Sequence, residues 1–157
     1  NQGEANVYDF SRNHVPGATE RDKGYWRDVG TVDAYFQAHM ELIDGTGFNL
    51  YDSEWPILSN LSTSTPARIR PEAKVDNSLI CPGADVAGEV THSLIGPGVR
   101  VERGATVNRC VLTADVVVPS GAHLESVIAD TGAQISIGRT GATKPGPGNI
   151  TVLTAEL

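Results

Sequence analysis

From residue 75 to residue 140 the apolar positions recur every seventeen residues. Residues 90–106 read VTHSLIGPGVRVERGAT, residues 107–123 VNRCVLTADVVVPSGAH and residues 124–140 LESVIADTGAQISIGRT, in one ungapped register. Each unit opens on Val or Leu, carries an apolar pair at its fifth and sixth places, has apolar residues at the tenth and twelfth, and Gly at the fifteenth. A fifteen-residue unit, 75–89, precedes them with the same opening, Val75 followed by Leu79 and Ile80.

Such a period, built from sub-units of roughly six residues that start on a branched apolar residue, predicts a parallel β-helix whose triangular coil is made of three short strands. Strand starts point inward and coils stack at about 4.8 Å, so equal places form inward files. Val75, Val90, Val107 and Leu124 make one such file. Gly104, Gly121 and Gly138 suit corners that require positive φ. The expectation is four coils, the first irregular.

Upstream the pattern changes. Val32, Tyr35, Phe36, Met40 and Ile43 recur at spacings of three and four, which predicts a helix over about 31–43 with Thr31 as its cap and Asp33 in its first turn. Gly45 and Gly47 end it. Residues 1–23 read as a polar connector with a turn at VPGAT, and residues 48–57 (FNLYDSEWPI) as an extended segment laid on an apolar surface. NLSTST and the Pro-rich PARIRPEAK then separate two units, with a linker at 61–74. Downstream, GATKPGPG at 141–148 reads as the end of the coils, and NITVLTAEL as a last strand covering their open end. The expected organisation is therefore a small α+β piece at 1–60, the linker, and the β-helix with its cap at 75–157.

Composition narrows the function classes. A net charge of −7 and a pI near 4.9 argue against a nucleic-acid surface, which needs clustered Lys and Arg. No apolar run approaches the ~20 residues that cross a bilayer, so no membrane partner is expected. Cys81 and Cys110 occupy different places in their coils and suggest no disulfide framework, which sets a reducing cytoplasm as the default. The chain opens at Asn1 with neither an initiator Met nor a charged-then-apolar leader, and reads as a segment of something longer.

At YWRDVGT, residues 25–31, followed by a helix and then by hexapeptide coils, the sequence resembles the C-terminal portion of bacterial glucose-1-phosphate adenylyltransferase, the ADP-glucose pyrophosphorylase family. The likeness takes in YDFSRNHVPGAT, DAYFQAHMELI and FNLYDSEWPI, runs to about Ile128, and is strongest to actinobacterial members. Beyond Ile128 the Gly-rich run departs from the family's regular hexapeptides. The resemblance implies a left-handed coil, and an enzyme that joins ATP and glucose 1-phosphate into ADP-glucose and pyrophosphate by in-line attack on the α-phosphate, with Mg²⁺ neutralising developing charge. It also implies a catalytic nucleotidyltransferase domain of which 1–60 is the last piece, a homotetramer, and regulation by phosphorylated effectors.

Carried over by motif, Asp28 matches the acidic residue that helps hold the catalytic Mg²⁺, and Trp26 an aromatic near the active site implicated in relaying activation. The bland readings stand beside these: Asp28 as a capping or surface acid, Trp26 as packing under the helix. Arg68 and Arg70, at the junction, are the candidates for clamping an effector phosphate, against a reading as solvated charges on the coil exterior. His92 and His123 do not share a file, which disfavours a metal site, and no extruded loop offers the cleft of a hexapeptide acyltransferase. The Gly-rich phosphate loop and sugar-phosphate residues of the family are absent from residues 1–157, so the chain by itself is expected to be inactive. The alternative is a non-catalytic module for oligomerisation or effector binding.

Overall fold

The computed structural model describes residues 6–14, 16–20, 22–58, 65–142 and 146–155. The first coil holds β1 (Arg68–Ile69), β2 (Lys74–Asp76) and β3 (Leu79–Ile80), and the second β4 (Asp85–Val86), β5 (Glu89–Thr91) and β6 (Leu94–Ile95). The third holds β7 (Arg100–Val101), β8 (Thr106–Asn108) and β9 (Val111–Leu112), and the fourth β10 (Val117–Val118), β11 (Ala122–Glu125) and β12 (Val127–Ala129). A partial fifth adds β13 (Gly138–Gly141) and β14 (Thr151–Leu153). All pairings are parallel, and they build a first face of β1, β4, β7 and β10, a second of β2, β5, β8, β11 and β13, and a third of β3, β6, β9, β12 and β14. This is the expected β-helix.

The inward files follow the repeat. Val90, Val107 and Leu124 stand in register and are buried, while Val75, in the first coil, keeps 38 % of its surface exposed. Val99, Val101, Val116 and Val118 fill the remaining interior with Ile95, Leu112 and Ala129. One inward file is partly polar. Ser93, fully buried, donates to Thr91 O (2.7 Å) and accepts from Cys110 N (3.0 Å), so its hydroxyl closes a ladder rather than breaking the core.

Corners explain the residue counts. Between first and second faces four residues turn the chain in the first and third coils and three in the fourth, but Ala87 and Gly88 alone do so in the fifteen-residue unit. That corner is tight: a Cβ on Gly88 meets Ala105 O at 2.5 Å. Gly104, Gly121 and Gly138 hold φ of 79°, 80° and 98°, as anticipated, but Gly138 lies within β13 opposite Ala122 rather than at a corner. The seventeen-residue register therefore slips by one in the last coil, where Leu124 pairs with Thr140.

Two boundaries differ from expectation. β1 lies inside the stretch read as linker, whose residues 61–64 fall outside those described. GATKPGPG interrupts the coils without ending them, because β14 resumes on the third face and pairs with β12, Ile128 opposite Val152. The first face does stop at four strands. Arg70, Ala87 and Glu102 each donate their N–H to the next coil, and the equivalent residue after β10 is Pro119, which has no N–H.

The helix α1 (Val32–Ile43) is capped as predicted, Thr31 Oγ1 accepting from Ala34 N at 3.1 Å. Its C-terminus closes with Thr46 N to Glu41 O and Gly45 N to Leu42 O, Gly45 holding φ of 63°. Phe36, Met40 and Ile43 pack on Leu79, Leu94, Val111 and Ile128, the fifth-place residues of the repeat, which point out of the third face. The helix runs from the upper coils to the lower: Asp33 Oδ1 accepts from Gly148 N (2.8 Å) near its start, and C-cap Asp44 accepts from Asn77 of the first coil (3.2 Å) at its end.

Cys110 is fully buried and burial pushes its thiol up to about 12, while partial burial also raises Cys81. A thiol-reactive chromophore at pH 8 is expected to label Cys81 slowly and Cys110 only after denaturation. Because the raised Cys110 value favours the neutral thiol, its contribution to stability is intact below the free-thiol value near ~8.5 and declines as pH rises toward the folded one. Denaturant midpoints that stay flat above pH 9, together with equal labelling of both thiols in the folded chain, contradict this.

Candidate functional site

The stretch ahead of α1 is extended, and alternate residues face opposite ways. Tyr25 stacks edge-on against Phe48 with ring centres 5.8 Å apart, and Arg27 Nη2 reaches Glu41 Oε1 at 3.1 Å in the third turn of the helix. These anchors leave Trp26 and Asp28 on the outer side, Trp26 with 74 % of its surface exposed. Trp26 therefore does not pack under the helix. Asp28 is not the helix cap, a place held by Thr31; its Oδ1 accepts from Gly30 N at 3.0 Å, which fixes the turn into α1.

The remaining carboxylate oxygen of Asp28 is open to a cation, but one oxygen does not hold Mg²⁺, which takes an octahedral shell. Among the described residues no three His, Cys, Asp or Glu side chains converge on a metal position. The chain's own described groups thus do not make a complete Mg²⁺ site. His92 and His123 are apart as anticipated: His123 Nδ1 meets Thr106 Oγ1 at 2.9 Å on the second face, and His92 Nε2 lies 2.9 Å from Asp44 Oδ1, off the line of a hydrogen bond.

Arg68 and Arg70 both stand on the outer side of the first face, but they are not a free pair. Arg70 makes a two-pronged contact with Asp85, Nε to Oδ1 at 2.7 Å and Nη2 to Oδ2 at 2.5 Å. Arg70's hydrogen bonds, with the added charges of Arg70, Arg68 and Arg100, hold the Asp85 carboxyl below its usual range. The depressed value means this pair supports the fold above the ordinary carboxylate range and weakens as pH falls through the folded value. Lys74–Glu89 (2.5 Å) and Arg103–Glu72 (2.6 Å) are likewise paired. Arg68 remains exposed beside Asp85, its register partner.

Three residues, Arg27, Arg109 and Ser126, come together against the helix. All three line a cavity of about 330 Å³ between α1 and the coils. A usable signal lay in the third places of the repeat, Asn77, His92, Arg109 and Ser126, which are polar in every unit and hold positive φ between 36° and 54° at the corner facing the helix.

Residues 65–142 match a family model described as the GlmU-like C-terminal hexapeptide. Over 140 residues the chain is 46 % identical to a glucose-1-phosphate adenylyltransferase of Corynebacterium jeikeium, covering 87 % of this chain and 35 % of that protein. It is 50 % identical to the enzyme of that name from Streptomyces coelicolor over 68 % of this chain and 27 % of the other. It is 36 % identical to the one from Cutibacterium acnes over 98 % and 40 %. No helix among the described residues is long and apolar enough to cross a membrane. Coils, helix and likenesses agree: this is a hexapeptide-repeat chain homologous, over about a third of their length, to the glucose-1-phosphate adenylyltransferases.

Proposed function

We propose that the chain is a segment of a glucose-1-phosphate adenylyltransferase, in which the coils serve assembly and regulation and the 25–31 stretch belongs to the catalytic centre. The observation that supports it most is the exposure of Trp26 and Asp28 together, on a stretch in which Tyr25 and Arg27 are tied down. Exposed Tyr8, Tyr51, Trp55 and Leu58 lie in the same N-terminal part and suit a face covered by further polypeptide. In this reading Asp28 supplies one oxygen to Mg²⁺ and the rest of the shell, with the ATP and glucose 1-phosphate contacts, comes from outside these residues. The reading carries a cytoplasmic location with it.

Assembly rests on the open first coil, where β1, β2 and β3 pair on one side only and the core-facing Ile69 and Val75 stay 48 % and 38 % exposed. A phosphorylated effector on the first face meets Arg68, since Arg70 has first to leave Asp85. The 157-residue chain is expected to form a homo-oligomer, a tetramer by the family pattern, and to release no pyrophosphate from ATP and glucose 1-phosphate. Joined to the missing two-thirds from a relative, it is expected to gain that activity and to lose at least ~100-fold of kcat on Asp28→Asn. Light scattering of a monomer contradicts the assembly role, and turnover by the chain alone, or full activity of the Asp28→Asn hybrid, contradicts the catalytic one.

A further inference from the structure

Glu41 stands in the third turn of α1, next to Met40, whose burial against the coils fixes this part of the helix. Two separate groups of Glu41 reach the stretch ahead of the helix. Its carboxylate meets Arg27, Oε1 to Nη2 at 3.1 Å, with 24 % and 34 % of the two side chains exposed. Its main-chain carbonyl closes the turn after the helix, accepting from Thr46 N (2.9 Å), Gly47 N (3.0 Å) and Thr46 Oγ1 (3.3 Å). That turn delivers Phe48 to its edge-on contact with Tyr25, and Tyr25 crosses Gly47 so closely that a Cβ there would stand 3.6 Å from the tyrosine hydroxyl. Both anchors of residues 25–28 therefore hang from one helical residue.

The two anchors differ in chemistry. The carbonyl is backbone and survives any substitution of Glu41, whereas the carboxylate does more than tether. It engages the cation that stands next to Asp28 in sequence. While the stretch is extended, Arg27 and Asp28 face opposite ways, and the charge of Arg27 is met on the helix side. Freed from Glu41, a guanidinium on a flexible stem is drawn to the neighbouring carboxylate, because Arg–carboxylate pairs are among the stronger hydrogen bonds. Asp28 then presents a paired carboxylate in place of an open one. Gly30 completes the arrangement: its N–H holds Asp28 Oδ1 at 3.0 Å, and a Cβ on Gly30 would crowd the same oxygen at 3.2 Å, so one carboxylate oxygen is fixed and the other left open.

We infer that Glu41 is a positioning residue: it touches no reacting group, but by holding Arg27 it sets the line of residues 25–28 and keeps Asp28 unpaired for a cation. The inference rests on the reading of residues 25–31 as part of a catalytic centre, while the anchoring is a property of this chain alone. An exposed ion pair contributes little to global stability. Misplacing a reacting group by about 1 Å, in contrast, costs up to ~100-fold in rate. The signature of a positioning role is thus a loss of aim and rate without a loss of fold.

The test has two arms. In the 157-residue chain carrying Trp55→Phe, Trp26 is the one remaining indole. There Glu41→Ala is expected to lower the emission anisotropy of Trp26 while the urea midpoint stays unchanged, and Glu41→Gln, which keeps an oxygen for Arg27, is expected to restore most of it. In the hybrid with a relative's remaining two-thirds, Glu41→Ala is expected to lower kcat about tenfold and to leave the KM for glucose 1-phosphate unchanged, with Glu41→Gln again recovering most of the loss. Placed on Asp28→Asn, Glu41→Ala is expected to change kcat by less than about twofold, because no carboxylate remains to be aimed. Unchanged anisotropy in Glu41→Ala, or a hybrid sensitive to Asp28→Asn whose kcat Glu41→Ala leaves within about twofold, overturns the positioning role alone. So does a Glu41→Ala penalty that persists in full on Asp28→Asn, since the residue then acts on the fold and not on Asp28. A hybrid indifferent to Asp28→Asn overturns the catalytic reading and the positioning role with it, and the anisotropy arm then separates a failed anchor from a failed site.

Discussion

Gly96→Ala is expected to be among the most damaging single-methyl changes in the coils. The Cβ falls 1.8 Å from Thr113 O and 2.5 Å from Thr113 C, both backbone atoms of the next coil. No side-chain rotation relieves this contact. The coils have to part at this edge, stretching the bond from Gly96 N to Leu112 O (2.8 Å) and the one from Leu94 N to Cys110 O (2.9 Å). Overpacking of a tight interior costs ~1–3 kcal/mol when side chains give way, and more is expected here because backbone must move. Gly104→Ala is the control: it forces an L-residue to φ of 79°, yet its Cβ meets only Ser120 Oγ at 3.5 Å, so ~1–2 kcal/mol of backbone strain is the whole effect. Urea midpoints rank the two, and a milder Gly96→Ala than Gly104→Ala contradicts the account.

The contrast also shows what a repeat discloses. Gly104 and Gly121 were readable because they recur in register. Gly96 does not recur: its file runs Cys81, Gly96, Thr113 and Asp130, and its need for Gly is set by a neighbouring coil rather than by its own conformation. Pro119 was equally visible as a residue and equally silent as a stop, since only the pairing register reveals that it stands where Arg70, Ala87 and Glu102 donate. The slip of the last coil came from the same limit. Thr140 opposite Leu124 leaves a polar residue where the pattern expects an apolar one.

The candidate site was half legible. Asp28 and Trp26 stood out by motif, and their exposure follows from the extended alternation that ties Tyr25 and Arg27 down. The engagement of Arg70 was not legible, because the sequence does not display Asp85, fifteen residues on, as its partner. The seam was hidden for another reason. An apolar pair at the fifth and sixth places of a strand cannot point one way, since successive side chains alternate, so the sixth-place residues inside imply a row of apolar residues outside that something must cover.

That cover is α1, and removing its grip is the second large effect. Met40, 1 % exposed, sits at the centre of the cluster with Phe36, Ile43, Val111 and Ile128. Met40→Ala is expected to cost ~2–5 kcal/mol. Met40→Asp goes further, because an unpaired carboxylate in this seam is more costly than letting the helix leave. The inner core of the coils contains no residue of α1, so the coils are expected to stay folded while the helix detaches. A free helix of twelve residues is marginal in water, and the ellipticity of α1 at 222 nm is expected to vanish in native buffer. The strand signal and its cooperative melt should remain. Loss of helix and strand in one transition would mean that α1 and the coils are a single cooperative unit, and a retained helix that the seam tolerates charge; either outcome contradicts this account. The functional consequence is the sharper readout. Arg27 reaches Glu41 on α1, and Asp33 holds Gly148, so this helix ties the stretch that carries Asp28 to the coils. Detaching it separates residues 25–31 from the coils without unfolding the coils.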